Sequence, residues 1–424
     1  MSTSVRKLLQ RLKNYPLGIL ASDFKNFLVN APMEMTRLER RFVSCEPKSE
    51  PIGDVLLCYN NHAFVMKDQD PALFQHTNRW ESLQIARTFL DLGYRVDVIN
   101  ENNEYFTPTR RYSYFVGNRI NFDRIARLLN PDCVKILHID TAHWLFHNTA
   151  EGRRLEQLKE RRGVVLSSRR TLKPNFAIEH ADYATVLGNE FTMGVYRYAG
   201  KPLFRIPIST PVLYDWPDEK DFDRVRRRFL WFGSEGMVHK GLDLVLEAFS
   251  QMPDHHLTVC GPVRGERDFE TAYRKELYDT PNIHTAGWVD VRSAQFLEIV
   301  NNCVGLVFPS CSEGQNGGVV TCMHAGLIPI VSYESGVDVD GFGRILKHCS
   351  VETIKDSVRA VSSLPAEELR ARAHRGWQYA RATHTREEFA RVFAGAVSEI
   401  MTAQVKKENS PQALPAQALT TRFS

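Results

Sequence analysis

A carboxylate and three glycines stand close together within residues 303–332. Gly314 follows Glu313 directly, and Gly317 and Gly318 come just before an apolar stretch that has the length of a short helix. Glycines let the main chain turn its N–H groups outward, and the first turn of a helix carries a partial positive charge. This spacing predicts an anion-binding loop, although any doubly wound α/β protein can carry a glycine-rich turn from strand to helix.

A lysine at the start of another helix offers a second contact to an anion. Lys240 and Gly241 follow a loop that begins at Gly233, and an amphipathic stretch comes next at residues 242–249. A cationic side chain beside glycines at a helix N-terminus is suited to binding phosphate. The segment is not a Walker loop, because neither Ser nor Thr follows the lysine. The alternative is an ordinary surface lysine in a first helical turn.

Short buried strands must carry these loops. The apolar run 304–308, closed by Pro309, predicts a strand of a parallel sheet, and residues 319–325 and 327–332 predict the following helix and strand. Further strands are predicted at 229–232 and 257–261, with later helices at 294–301 and within 367–402. The first half repeats the pattern, with strands at 54–60, 95–100, 133–140 and 183–187 and a helix at 80–92.

The ordered motifs of the second half resemble the donor-sugar site of GT-B glycosyltransferases, in particular the retaining family 4. The residues that carry the resemblance are Lys240-Gly241, Gly261-Pro262, Gly287-Trp288-Val289 and Pro309-Ser310 with Glu313-Gly314, then Gly326 and Pro329. The resemblance implies two Rossmann-like, doubly wound α/β domains that face a cleft. We accordingly predict an N-terminal extension at 1–50, an acceptor domain at 51–208, a donor domain at 209–385, a helix crossing back at 386–403 and a disordered tail at 404–424.

The resemblance also implies a function, the transfer of a sugar from a nucleotide-diphosphate sugar to a glycan, lipid or small-molecule acceptor. Configuration would be retained, no metal would be needed, and the nucleotide-sugar would be a co-substrate rather than a cofactor. Lys240 would hold the diphosphate, Glu313 would orient sugar hydroxyls and His143 would face the sugar. The residues expected to bind the donor are Gly233, Ser234, Lys240, Gly261, Glu313, Gly317, Gly318, Val319 and Thr321.

Two positions depart from the family pattern. The second acid of the motif, eight residues after Glu313, is replaced by Thr321, and Ser234 stands where the family has an arginine. A non-catalytic binding or partner protein on the same scaffold is therefore the alternative function. A metal site from His138, Asp140 and His143 is disfavoured, since their spacing matches no established ligand pattern.

Composition narrows the class of protein further. The chain has 424 residues, of which 43% are hydrophobic and 25% charged, and no run approaches the roughly 20 apolar residues of a membrane span. Without a recognisable signal peptide, we expect a cytoplasmic protein whose eight cysteines are reduced. Residues 1–50 hold nine Lys/Arg against five Asp/Glu, which leaves 45 against 45 elsewhere, so a nucleic-acid partner is not expected. Residues 4–14 form a basic amphipathic pattern that fits either an anionic membrane surface or a solvated docking helix.

Overall fold

Two parallel sheets organise the computed structural model, which describes residues 39–66 and 76–409. The first sheet has the order β1-β3-β2-β4-β5-β6-β7, and only β1 is antiparallel to its neighbour. Its strands are β1 (Val43–Cys45), β2 (Asp54–Tyr59), β3 (Arg95–Asn100), β4 (Tyr114–Gly117), β5 (Val134–Ile139), β6 (Tyr183–Leu187) and β7 (Leu203–Ile206).

The second sheet is parallel throughout and has the order β10-β9-β8-β11-β12-β13. Its strands are β8 (Arg228–Phe232), β9 (His256–Cys260), β10 (Ile283–Gly287), β11 (Gly305–Phe308), β12 (Ile328–Ser332) and β13 (Arg344–Leu346). Every residue of β11 and β12 is buried, as expected for strands covered by helices on both faces.

Helices connect and cover the strands. They are α1 (His62–Val65), α2 (Thr77–Asp91), α3 (Phe122–Ala126), α4 (Trp144–Arg162), α5 (Ala177–His180), α6 (Glu190–Gly194), α7 (Phe222–Val225), α8 (Leu242–Ser250), α9 (Arg267–Ala272), α10 (Ala294–Asn301), α11 (Gly317–His324), α12 (Val351–Ser362), α13 (Ala366–Thr383) and α14 (Arg386–Asn409). Short 3-10 turns lie at Arg197–Ala199, Val263–Gly265 and Tyr333–Ser335, and a π-helical turn lies at Lys275–Asp279. The predicted pair of doubly wound α/β domains is confirmed.

The last helix returns to the first domain. α14 packs against α2 and against β6 and β7, and its buried Phe389, Phe393 and Val397 join a hydrophobic core that contains residues of both sheets. The helix continues to Asn409, so residues 404–409, which we predicted as the start of a disordered tail, are helical.

Three other expectations need correction or fall outside the described residues. Residues 43–45 were placed in the N-terminal extension at 1–50, but they pair with β3 as an edge strand of the first sheet. Between the strand predicted at 54–60 and the helix predicted at 80–92 lies a further short helix, α1, and α2 begins at Thr77, three residues before its predicted start. The predicted amphipathic helix at residues 4–14 lies outside the part of the chain that the structure describes.

The two domains touch beside the loop that contains Glu313. A Cβ atom at Gly314 would collide with the carbonyl oxygen of Asp140, at the carboxyl end of β5. Arg154 on α4 donates a hydrogen bond to the carbonyl oxygen of Pro309 over 3.1 Å. The position of the second domain relative to the first is therefore defined by close contacts of the main chain.

Candidate active site

The strand order of the second sheet predicts where a ligand binds. β8 lies between β9 and β11, so the chain changes direction across the sheet at β8, and the loops after β8 and β11 separate there. Open α/β sheets bind ligands in such a crevice, at the carboxyl ends of the strands. A cavity of about 410 Å³ lies at this point, and residues of the first domain close its other side.

The cavity collects nearly all of the residues predicted to bind the donor. Those that line it are Gly233, Ser234, Lys240, Gly261, Glu313, Gly317, Gly318 and Thr321. Val319 is fully buried behind them, and its amide donates to the Asn316 side chain over 3.0 Å, so that amide is already engaged. His143 is not brought to this cavity.

A buried ion pair lies in the wall of the cavity. Lys240 Nζ donates to Glu313 Oε1 over 2.8 Å, and only 4% and 13% of these two side chains are exposed. Ser310 Oγ donates to the same carboxylate oxygen over 2.9 Å, and the ammonium group lies 5.6 Å from the ring centroid of Phe308. The two charged residues of the predicted motifs, which come from different loops, are thus held together.

The charge of Glu313 is maintained despite its burial. Burial opposes ionisation of the carboxyl, but the positive charges of Lys240 and Arg170 outweigh it and hold the pKa of Glu313 at about 2. Glu313 is therefore a carboxylate at neutral pH and can only accept hydrogen bonds.

Two glycines allow the strand ends to approach each other beside the ion pair. A Cβ atom at Gly261 would lie 2.7 Å from the carbonyl oxygen of Gly233, and one at Gly233 would lie 2.8 Å from the indole ring of Trp231. No side chain fits at either position, so the ends of β8 and β9 present main chain to the cavity.

Helix α11 points its N-terminus at the cavity. Asn316 caps the helix through the amide of Val319, and Thr321 Oγ1 donates to the carbonyl oxygen of Gly317 over 2.8 Å. Within the described residues the amides of Gly317 and Gly318 have no such side-chain partner, so they are the donors that remain for an anion. Thr321 is 3% exposed and faces the cavity next to them.

His143 serves the fold in another place. It is the N-cap of α4, where Nδ1 accepts from the amide of Leu145 over 3.4 Å, and Nε2 lies 3.1 Å from the hydroxyl of Tyr198. Its ring lines a separate cavity of about 1030 Å³ between α4 and the segment after β13. The structure gives it no contact with Lys240 or Glu313.

The other two residues of the disfavoured metal site have partners of their own, although Asp140 also lines the donor cavity. His138 Nδ1 lies 2.8 Å from the hydroxyl of Thr185, and its ring packs against Phe389 and Phe393 of α14. Asp140 forms an ion pair with Arg119. Across residues 39–66 and 76–409, no group of three or more His, Cys, Asp or Glu side chains could hold a metal ion.

Two charged residues of the first domain, Glu81 and Arg170, also line the cavity and were not predicted from the sequence. Glu81 on α2 is fully buried, and burial raises its pKa to about 7. Its Oε1 accepts hydrogen bonds from the amide and the hydroxyl of Ser209, both over 2.9 Å. Arg170, in the loop between α4 and α5, lies near Glu313. Neither Glu81 nor Arg170 belongs to a short sequence motif, so residue spacing did not indicate that either one lies at the site.

Comparison with solved structures identifies the fold. The sucrose-phosphate synthase of Thermosynechococcus elongatus superposes with a TM-score of 0.58 at 13% identity, over 84% of this chain and 100% of that one. Anabaena HepE, in complex with UDP and glucose, superposes with a TM-score of 0.50 at 11% identity, over 83% and 100% of the two chains. The chain therefore has the GT-B glycosyltransferase fold.

The family match falls on the second domain. Residues 226–363 match a model described as glycosyl transferases group 1. No curated protein sequence matches the chain. A structure of the S. aureus TarM G117R mutant, in complex with fondaparinux, alpha-GlcNAc-glycerol and UDP, matches at 10% identity and a TM-score of 0.48, over 66% of this chain. The chain spans about half, 55%, of that protein. The narrower assignment to family 4 stays a prediction.

All eight cysteines lie in the described residues and none is in a disulfide. Six are buried, and Cys45 and Cys349 are partly exposed.

Among the described helices, none combines the length and the apolar character needed to cross a membrane.

Proposed function

We propose that the protein is a glycosyltransferase that moves a sugar from a nucleotide-diphosphate sugar to an acceptor in the interdomain cleft. The observation that carries this proposal is the buried pair of Lys240 and Glu313 beside the N-terminus of α11, at the switch point of a GT-B fold. A lysine ammonium group and helix N-terminal amides can bind a phosphate, and a fixed carboxylate can accept hydrogen bonds from sugar hydroxyls. One cavity can therefore bind both the diphosphate and the sugar of a nucleotide-sugar.

The chemical role of these groups follows from the charge that develops during transfer. The bond between the sugar and the diphosphate breaks, the sugar becomes oxocarbenium-like, and negative charge grows on the leaving diphosphate. Lys240 has three N–H donors, and Glu313 accepts from it, so donors remain that can face the diphosphate together with the amides of Gly317 and Gly318. Positive charge from these groups is what a metal-independent reaction requires.

Retention of configuration is part of the proposal and is supported by the resemblance to a retaining family. The acceptor oxygen then attacks from the side that the diphosphate leaves, and the diphosphate takes the proton of the acceptor hydroxyl. Lys240 and Ser310 both donate to Glu313 Oε1 and fix the carboxylate, which supports a role in positioning sugar hydroxyls rather than in attack on the sugar.

A panel of nucleoside diphosphates tests the donor site. UDP comes first, because HepE is described in complex with UDP, and GDP, ADP, CDP and dTDP complete the panel. A ligand at 100 times its dissociation constant stabilises the native state by about 2.7 kcal/mol, which a thermal-shift measurement detects. Release of sugar or transfer from the matching donors follows. No shift with any nucleotide overturns the donor site, whereas binding without turnover of any donor supports the non-catalytic alternative.

We also propose a cytoplasmic location with peripheral contact to an anionic membrane through residues 4–14. Arg6, Lys7, Arg11 and Lys13 supply the charge, each contributing about 1 kcal/mol near such a surface. Because residues 43–45 form a strand of the first sheet, the test keeps the full chain and replaces these four residues by Ala. The wild type should sediment with vesicles of phosphatidylserine and phosphatidylcholine, and the variant should not; equal binding overturns this contact.

A further inference from the structure

Arg170 reaches the donor cavity from the first domain. Its aliphatic stem rests on the loop after β8, where a Cβ atom at Gly236 would lie 2.6 Å from Arg170 Cγ. The side chain lines the same cavity as Lys240 and Glu313. Its Nε is buried and has no acceptor among the described residues. The guanidinium group of Arg170 thus lies beside the place where the predicted diphosphate is to be bound.

Two buried side chains of α4 hold the main chain at Arg170. Glu151 Oε1 accepts from the amides of Arg169 and Arg170 over 3.0 Å and 2.9 Å, and His147 Nε2 contacts the carbonyl oxygen of Arg170 over 2.8 Å. Glu151 and His147 are 3% and 1% exposed. Burying polar groups is favourable only when they are hydrogen-bonded, so the fold fixes this loop and the origin of the Arg170 side chain.

The histidine that holds Arg170 also contacts the residue before Lys240. The rings of His147 and His239 lie 4.5 Å apart, and His239 Nε2 is 2.6 Å from the carbonyl oxygen of Ser312, which precedes Glu313. The two cationic side chains and the carboxylate are thus positioned by one connected set of contacts that crosses the domain boundary.

Ser234 has a short side chain at the position where the family motif has an arginine. It is exposed, and it lines the same cavity. We propose that Arg170 makes the second cationic contact to the donor diphosphate, from the first domain, in place of an arginine at position 234. This inference rests on the proposed function. Since Lys240 belongs to the second domain, the diphosphate is then bound by both domains, with a bidentate guanidinium on one side and an ammonium on the other.

Calorimetry with UDP and UMP tests the assignment, or with the diphosphate and monophosphate of whichever nucleoside binds in the panel. Arg170→Met keeps the stem that packs on Gly236 and removes the charge, and Arg170→Lys keeps the charge without the fork. A charged hydrogen bond is worth about 1.5–3 kcal/mol, so Arg170→Met should weaken the diphosphate roughly 10- to 100-fold and the monophosphate less. The affinity of Arg170→Lys for the diphosphate should lie between that of wild type and that of Arg170→Met.

The neighbouring arginine is the matched control. Arg169 pairs with Asp268 over 2.6 Å and does not line the cavity, so Arg169→Met should leave both affinities within about twofold of wild type. Adding Ser234→Arg to Arg170→Met should restore most of the diphosphate affinity. Wild-type protein that binds no nucleotide overturns the proposed function and this inference together. Wild-type binding that Arg170→Met leaves unchanged overturns the assignment of Arg170 alone.

Discussion

Lys240 and Glu313, 73 positions apart in the sequence, form a hydrogen-bonded ion pair of 2.8 Å in the wall of the interdomain cavity. Sequence analysis gave them separate tasks, one toward phosphate and the other toward sugar hydroxyls. Their pairing means that each fixes the other, so a substitution at either position changes the geometry of both tasks.

Replacing Lys240 should affect stability as well as binding. Removing one partner of a buried ion pair typically costs about 3–5 kcal/mol, because the remaining charge is uncompensated. We expect Lys240→Met to lower the free energy of unfolding in urea by about that amount at pH 7. The double variant with Glu313→Gln should recover much of this loss in stability while still binding the nucleoside diphosphate about 10- to 100-fold more weakly than wild type. A single variant as stable as wild type would contradict the pairing.

Glu313→Gln should separate sugar positioning from nucleotide binding. The amide still gives Lys240 an oxygen acceptor, so the fold should survive with a loss of about 1–3 kcal/mol. We expect transfer from the donor identified in the panel to fall about 10²-fold, while the affinity for the nucleoside diphosphate changes much less. Glu334→Gln, which alters the other cavity, is the control. Equal turnover of Glu313→Gln and wild type would remove Glu313 from the site.

Thr321→Glu should strengthen contacts with the ribose. The Thr321 hydroxyl already donates to the carbonyl oxygen of Gly317, so it can only accept from a ribose hydroxyl. A carboxylate can accept from both hydroxyls with charge assistance, which should tighten a nucleoside diphosphate about tenfold. The 2′,3′-dideoxy analogue has no hydroxyl to bind and should gain nothing. The same gain for both ligands would place the new carboxylate away from the ribose.

Stability should fall in mild acid because of two buried histidines at the domain crossover. His324 Nε2 lies 2.9 Å from the carbonyl oxygen of His384, and His384 Nδ1 lies 3.2 Å from that of Ile208. Burial lowers the pKa of each histidine to about 4, below the value of about 6.5 in an unfolded chain. The unfolded chain therefore takes up protons that the folded chain does not, and stability that is complete above pH 6.5 is lost toward pH 4.

His384→Asn keeps a donor near Nδ1 and removes the titrating group. Between pH 7 and pH 4.5 the thermal midpoint of this variant should fall less than that of wild type. The exposed His284→Asn is the control and should follow the wild-type curve. Parallel curves for wild type and His384→Asn would show that His384 is not a source of the pH dependence.

The donor domain was predictable because its signals are local. The strands β8, β9 and β11 contain short, largely apolar runs, and a glycine or a proline follows each strand directly, at Gly233, Gly261 and Pro309. Glu313 lies in the loop after β11 and Lys240 in the loop after β8, so the parallel sheet brings both loops to one edge. What spacing could not show is that they pair, since that depends on the order in which the strands lie in the sheet.

The first domain was harder to predict because its key helix has a polar buried face. The buried residues of α4 are His147, Glu151, Arg154 and Leu158, which follow helical spacing without forming a hydrophobic pattern. That face holds Arg170 and contacts Pro309, so the residues that position the site were those that hydrophobic periodicity could not detect. The resemblance placed His143 beside the sugar, whereas the structure uses it as the N-cap of the same helix.

The polar face of α4 also limits which insertions and deletions this helix can tolerate among related proteins. His147, Glu151 and Arg154 point the same way because they are four and three residues apart, and one inserted or deleted residue would turn those after it by about 100°. Glu151 would then leave the amides of Arg169 and Arg170, and Arg154 would leave Pro309. Related chains should therefore conserve the number of residues between positions 147 and 154, even where the exposed side of the helix changes freely.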